Sequence, residues 1–522
     1  MITGKNYIGS SLSAKGDITF RTINPVENLV NQPFFVEATD DEINHAVALA
    51  TKAFNEYSTI SDAKKADFLE AIANEIEALG DDLLQIYTKE SGLPAGRATG
   101  ERARTMVQLK AFATMLREGS WVEAIINKVG DTIDIRRMLI PIGPVVVFGA
   151  SNFPLAFSTG GGDTASALAA GCPVIVKSHP LHAGTAEMVS SAIIKAVQKT
   201  GMPDGVFSNL NSSGIAVGVK LVEHPDIKAV GFTGSIKGGT ALCEIAAKRE
   251  IPIPVYAEMS SINPVVVLPS VLKLANKEWA QKYAAAITMG TGQFCTNPGL
   301  ILGIASQELD DFATNLAAEL NAIQPSCMLH PNIKALYESH KNEVLAQDGY
   351  TQLTNLDIEV QENFALQNLI SVSGELFLKN KAFHNEVFGP FSVIVKCETK
   401  EELDAIIENL EGQLTGTILN TDVTELVSFK TTIELLKNKV GRLIFNSVPT
   451  GVEVCSAMTH GGPYPSTSDS KFTSVGTTAV KRWVRPVSFQ GWPNEMLPEA
   501  LQNENPLSIT RTLNDIITKD II

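Results

Sequence analysis

Cys295 stands in the run Gly290-Thr291-Gly292-Gln293-Phe294-Cys295-Thr296, directly after a helical stretch from Trp279 to Met289. A thiolate there is a strong nucleophile, and the amides of a tight glycine turn can reach whatever it attacks. Alone, one cysteine in a chain of 522 residues is more often a small buried hydrophobe. Glu258 follows the β-rich run Ile253-Pro254-Val255-Tyr256. Open α/β sheets place functional groups at such strand ends, so it reads either as a general base or as a solvated carboxylate. Asn152, in Ser151-Asn152-Phe153-Pro154, also follows a strand-like run. Its amide could serve an oxyanion or only shape the turn. Phe232-Thr233-Gly234-Ser235-Ile236-Lys237-Gly238-Gly239 joins a strand to a helix and could offer amides and a helix N-terminus to a pyrophosphate. It is not the G-x-G-x-x-G fingerprint, and a plain tight connection explains it equally well. No local signature sets a histidine beside Cys295, which leaves a cofactor-free cysteine hydrolase little support.

These residues need a scaffold of alternating strands and helices. Val145-Val146-Val147-Phe148, Pro173 to Lys177, Val206-Phe207, Ile227 to Phe232 and Ile253 to Tyr256 read as strands. Helical stretches separate them, among them Thr164 to Ala170, closed by Gly171, and Gly184 to Gln198. The rhythm predicts a doubly wound parallel sheet of βαβ units. A second series follows at Val265-Val266-Val267, Leu300-Ile301-Leu302, Phe391 to Val395, Thr417-Ile418-Leu419 and Arg442 to Phe445. Helical periodicity runs from Asp41 to Leu79 and from Arg97 to Arg117. Asp131 to Ile140 alternates like a ribbon strand, and Trp483 to Val487 is a candidate companion.

The length favours at least two domains sharing a cleft. Hydrophobic content of 44% and charged content of 19% are those of a globular protein, with no apolar run long enough for a membrane span. The N-terminal residues lack an export leader, which favours a cytoplasmic location. A net charge of −15 without a basic patch argues against nucleic-acid binding. Six scattered cysteines with no C-x-x-C pair point to reduced thiols, not a disulfide framework or a cysteine metal site, and no metal is expected.

Taken in order, Ser151-Asn152-Phe153-Pro154, Lys177, Phe232-Thr233-Gly234-Ser235, Glu258, Gly292-Gln293-Phe294-Cys295 and Glu386-Val387-Phe388-Gly389-Pro390 resemble the aldehyde dehydrogenase superfamily from about Gly4 to Trp483. Gly160 to Pro173, Asn446 to Val452 and His460-Gly461-Gly462-Pro463-Tyr464-Pro465 are similar to its bacterial 2-oxoglutarate semialdehyde (2,5-dioxovalerate) branch and to the related fatty aldehyde enzyme of luminous bacteria. The resemblance implies two doubly wound α/β domains plus a β-ribbon that mediates a homodimer or homotetramer. The expected division is residues 1–120 and 141–260 for NAD(P) binding and 261–458 for catalysis, with 121–140 and 459–490 as oligomerisation strands and 491–522 as a C-terminal extension.

By the same resemblance Cys295 attacks a small-molecule aldehyde, Asn152 and the Cys295 amide hold the oxyanion, and Glu258 activates water against the resulting thioester. Lys177 and Glu386 resemble ribose-binding residues, Phe388 a residue against the nicotinamide, and Gly234, Ser235 and Gly239 a pyrophosphate turn. Two positions depart from the pattern. Pro180 replaces a Glu that many NAD-dependent relatives carry, so NADP is tolerated and the choice between NAD and NADP stays open. Ser260-Ser261 replaces paired glycines after Glu258. A substrate carboxylate would need a cation, for which Arg104 is favoured over its helix neighbours Arg97 and Arg102. A long apolar aldehyde would instead use Phe153, Phe157 and Phe294. A coenzyme A-acylating enzyme, opposed by Glu258 as a base for water, and a catalytically silent scaffold, opposed by Cys295, Glu258 and Asn152 standing together, are further alternatives.

Overall fold

Runs of valine and isoleucine long enough to be covered on both faces build the first sheet. In the computed structural model, which describes residues 2–130, 133–355 and 357–522, its strands lie in the order Val255–Glu258, Ala229–Thr233, Val145–Phe148, Val174–Lys177 and Phe207–Leu210. The antiparallel hairpin of Asn6–Ile8 and Ser11–Ser13 completes it. The first five are parallel. Val145, Val147, Val174 and Val176 point into a core shared with helices Asp62–Ala78, Ala95–Glu118, Gly162–Ala170 and Ala183–Thr200. Val146 and Ile175 point the other way, towards helices Asp40–Tyr57 and Ala216–Glu223. Period-two side chains buried on both sides explain why the strands read as unbroken apolar runs. Strand order reverses between Val145–Phe148 and Ala229–Thr233, and a crevice opens there at the carboxyl ends. Asn152 leaves the first of these strands and Gly234 the second.

The second sheet holds Asn368–Ser373, Phe391–Cys397, Leu300–Ile304, Val265–Val267, Gln413–Leu419 and Val440–Phe445 in parallel, with Thr351–Gln352 antiparallel at its edge. A third sheet joins Ile125–Val129, Ile133–Pro141 and Val484–Gln490 as an antiparallel ribbon. Asp131 and Thr132, the start of the expected ribbon strand, lie outside the described residues.

Several features were not read from the sequence. The periodic stretch from Asp41 to Leu79 forms two helices, Asp40–Tyr57 and Asp62–Ala78, because Ser61 caps a fresh N-terminus by accepting from the Lys64 amide. Glu258 is the last residue of its strand, in register with Thr233, not a residue beyond it. The strand Asn368–Ser373 was not anticipated; it alternates weakly and is recognisable only by its pairing with Phe391–Cys397. The tail after 491 joins the ribbon sheet, where Arg511–Leu513 runs parallel to Ile125–Val129 and pairs with Ile516–Thr518. Arg136, 2% exposed, holds that tail through the Asn503 side chain at 2.8 Å while paired with Asp134 at 2.7 Å.

Candidate active site

Helix Asn276–Thr288 stops where Gly290, Thr291 and Gly292 take φ of 56°, 58° and 67°. The left-handed region favours glycine, and a Cβ on Gly292 would also stand 2.2 Å from the Gly389 carbonyl carbon. Thr291 tolerates the strain because its hydroxyl donates to Cys327 O at 2.8 Å. Asn263 then ties down the far side of the turn, its Nδ2 donating to Cys295 O and Asn297 O, each at 2.9 Å. The thiol is thereby held on a backbone with little freedom.

Two groups meet that thiol. His460 Nε2 lies 3.5 Å from Cys295 Sγ and 3.0 Å from Glu258 Oε1. His460 and Glu258 are each 1% exposed. The Glu258 contact has ion-pair distance but poor alignment for a hydrogen bond, so one imidazole nitrogen faces both thiol and carboxylate. Ser474 Oγ donates to Glu258 Oε2 at 2.8 Å. Burial opposes charge on Glu258, but His460 and Ser474 hold its carboxyl below the usual range. Burial, with Glu258 and Glu386 adding to it, pushes the Cys295 thiol well above its ordinary value. A protonated thiol needs a neighbour to take its proton, and His460 is within reach. No local signature in the sequence sets a histidine beside Cys295; the fold brings His460 there. His460 is 165 positions away in the chain. The only local signal was its place in the run His460 to Pro465, noticed as similarity without a chemical role.

Cys295 forms part of two openings. One is a cavity of about 270 Å³ lined by Phe153, Phe157, Phe294, Arg97, Arg104 and His460. The rings pack edge to face, Phe153 against Phe157 at 5.1 Å and against Phe294 at 5.3 Å. Arg97 lies over Phe153 and Phe294 with its guanidinium carbon 4.3 and 4.5 Å from the ring centres, and its Nη2 is buried without a partner. Arg104 has only long contacts, 3.4 Å from Nε and Nη2 to Val452 O, beside Phe157. Burial lowers its pKa, though a guanidinium stays charged at any physiological pH. Arg102, by contrast, turns away to donate to Gly80 O.

The other opening is a cleft of about 850 Å³ at the strand-order reversal, lined by Asn152, Gly234, Ser235, Ser260, Glu386 and Phe388 among others. Asn152 Nδ2 donates to Gln293 O at 3.0 Å, which sets its amide beside the turn that carries Cys295. Ser235 caps helix Ile236–Ala247 by accepting from the Gly238 amide, leaving the first turn of that helix at the cleft. Gly239 does not line the cleft; a Cβ there would lie 2.6 Å from Met259 Sδ, so its bareness lets the helix approach the sheet. Lys177 ends its strand at the same carboxyl edge, and burial lowers its ammonium to about 8, against the effect of Glu37. Glu386 sits against Ser260 and the Ser261 backbone, and burial raises its carboxyl to about 7. Ser260-Ser261 therefore does not displace Glu258; Ser261 Oγ is fixed by Asn263 and Gln413, each at 2.9 Å. An amide-lined helix start, a buried ammonium and a roomy cleft suit a dinucleotide. The reacting atoms of Cys295, His460 and Glu258 lie within 4.8 Å of one another, close enough that a metal ion could also bridge them.

A nucleophilic cysteine between a dinucleotide-sized cleft and a separate small cavity is the arrangement of an aldehyde-oxidising enzyme. The aldehyde dehydrogenase family model matches residues 13–483, and the chain belongs to that family. It is an NAD(P)-dependent oxidoreductase that converts an aldehyde to a carboxylate. Among its relatives, alpha-ketoglutaric semialdehyde dehydrogenase 2 of Azospirillum brasilense is 46% identical over 98% of both chains. The alpha-ketoglutaric semialdehyde dehydrogenase of Acinetobacter baylyi is 42% identical over 99% of both. A solved structure of 1-pyrroline-5-carboxylate dehydrogenase from Thermus with bound NAD shares the fold at a TM-score of 0.80 and 19% identity, covering 93% of this chain and 92% of that one.

Proposed function

We propose that this chain oxidises 2-oxoglutarate semialdehyde (2,5-dioxopentanoate) to 2-oxoglutarate through a thioester on Cys295. The observation that carries the reading is the small cavity beside Cys295, which is apolar along its walls yet carries the unpartnered Nη2 of Arg97 and the loosely engaged Arg104. Arg97 is ion-paired through Nε with Glu101 at 3.4 Å, yet its Nη2 has no partner and Arg104 meets only a backbone carbonyl, so donors remain for a substrate carboxylate. The names of the two bacterial relatives support the same substrate.

In this scheme His460 Nε2 takes the Cys295 proton and Glu258 stabilises the imidazolium. The thiolate attacks the aldehyde carbon, and the Asn152 amide with the Cys295 N–H receives the new oxyanion. A nicotinamide held in the cleft would supply the acceptor for the hydride that the thiohemiacetal carbon loses in becoming a thioester. Glu258 then removes a proton from water as it attacks the thioester carbon, the C–S bond breaks and the carboxylate leaves. Lys177 and Glu386 would hold the ribose hydroxyls, Gly234 and Ser235 the pyrophosphate, and Phe388 the nicotinamide side of the cleft. Dimers or tetramers assembled through the ribbon, working in the cytoplasm, complete the reading.

Reduced-cofactor formation with 2,5-dioxopentanoate and with hexanal, each with NAD and NADP and beside Cys295→Ala, tests it. The dioxo acid should give the higher kcat/KM and the variant none. A preference for hexanal would transfer the assignment to medium-chain apolar aldehydes, the reading that the three phenylalanines favour. Silence with both substrates would refute the scheme.

A further inference from the structure

The Lys177 ammonium is 9% exposed and has no hydrogen-bond partner among the described residues. Pro180, three positions on, opens the short turn Pro180–His182 and brings no charge. His179 and His182 are no substitute cations, since burial, with the Lys177 ammonium adding to it, keeps both neutral. A carboxylate arrives instead from a distant part of the chain. Glu37 follows the strand Leu29–Val36 and accepts the Ser213 N–H at 2.7 Å and the Ser213 hydroxyl at 2.6 Å. Ser213 lies in the loop that leaves strand Phe207–Leu210, whose last residue, Leu210, is in register with Lys177.

The surrounding backbone fixes that approach. Ala38 N donates to Asn211 O at 3.0 Å, Ser178 N to Leu210 O at 2.9 Å and Glu37 N to Ile18 O at 2.9 Å. Gly16 passes so close that a Cβ there would stand 2.3 Å from Glu37 O. The Glu37 carboxylate is thus anchored at the carboxyl edge of the strands carrying Lys177 and Leu210, and its field acts on the Lys177 ammonium.

We propose that Glu37 makes this enzyme prefer NAD over NADP by placing a fixed carboxylate where the adenosine ribose meets Lys177. A carboxylate accepts ribose hydroxyls, whereas a 2′-phosphate, with a charge of about −2, is repelled by it. The inference rests on Lys177 being the ribose-binding lysine.

Dissociation constants for NAD and NADP, measured by titration calorimetry without aldehyde, test it on the wild type, Glu37→Gln and Lys177→Met, with thermal melts to confirm folding. The wild type should bind NAD more tightly. Glu37→Gln should weaken NAD, strengthen NADP and move the ratio of the two constants tenfold or more towards NADP. Ser213→Ala, which keeps the charge but loosens its hold, should move the ratio the same way by less. An unchanged ratio in a folded Glu37→Gln protein, with both constants weakened by Lys177→Met, overturns the role of Glu37 and leaves the ribose assignment standing. If Lys177→Met changes neither constant, the ribose assignment fails and the inference with it.

Discussion

His460 is the residue on which the chemistry of Cys295 turns. Its Nε2 is 3.5 Å from a thiol that burial keeps protonated, so its removal leaves the nucleophile without a nearby proton acceptor except a carboxylate already engaged by Ser474. His460→Gln should lower kcat by about 100-fold, the usual loss when a positioned base is removed. Raising the pH should restore part of that loss, because free thiolate then forms without help; a variant equally slow at pH 7 and pH 9.5 would reduce His460 to packing. Arg104 offers a separate test at the same scale. Arg104→Met should raise KM for 2,5-dioxopentanoate tenfold or more while leaving hexanal nearly unchanged, since only the charged end of the former needs a cation. Equal losses with both aldehydes would mean that the arginine supports the cavity wall.

Elements decide how accurately those residues are presented. The turn Gly290–Gly292 packs against Gly389 with no room for a methyl group. Gly292→Ala should therefore displace Cys295 and abolish most activity while the fold survives, a combination that steady-state rates and circular dichroism would show together. Much of this level was legible beforehand. Strands Val145–Phe148 and Val174–Lys177, covered on both faces, announced themselves as apolar runs, and Cys295, Glu258 and Asn152 each sit in a short stretch readable from neighbours in the chain. What escaped notice depends on long-range contact. His460 reaches the thiol across 165 positions and Glu37 reaches Ser213 across 176, and no local period encodes either meeting. The break at Ser61 was missed for the opposite reason: apolar periodicity continues through a cap that interrupts the helix.

At the scale of the whole molecule, Glu90 links distant helices by accepting from Gly184 N, Thr185 N and the Thr185 hydroxyl, each at 2.8 Å. Burial nevertheless raises its carboxyl from 4.5 to about 7. The folded state then binds this proton more tightly than the unfolded chain does. The contribution of this group to stability is fully present below about 4.5 and is lost as pH climbs to 7, by about 3 kcal/mol. Glu90→Gln should remove this group's share of the pH dependence, so that the thermal midpoint of the variant falls less, or rises more, than that of the wild type between pH 4.5 and 7; an identical slope would exclude Glu90 as a contributor.

The two openings that meet at Cys295 carry a consequence for traffic. Aldehyde and dinucleotide do not queue at one door, because the 270 Å³ cavity and the 850 Å³ cleft are lined by different residues everywhere but at the sulfur. The acid product can depart through its own exit while the dinucleotide stays seated, and a fresh dinucleotide can enter while the first exit is still occupied. On the proposed substrate, adding 2-oxoglutarate should accordingly slow the enzyme without competing against NAD; competition with NAD would mean that the two openings are not independent.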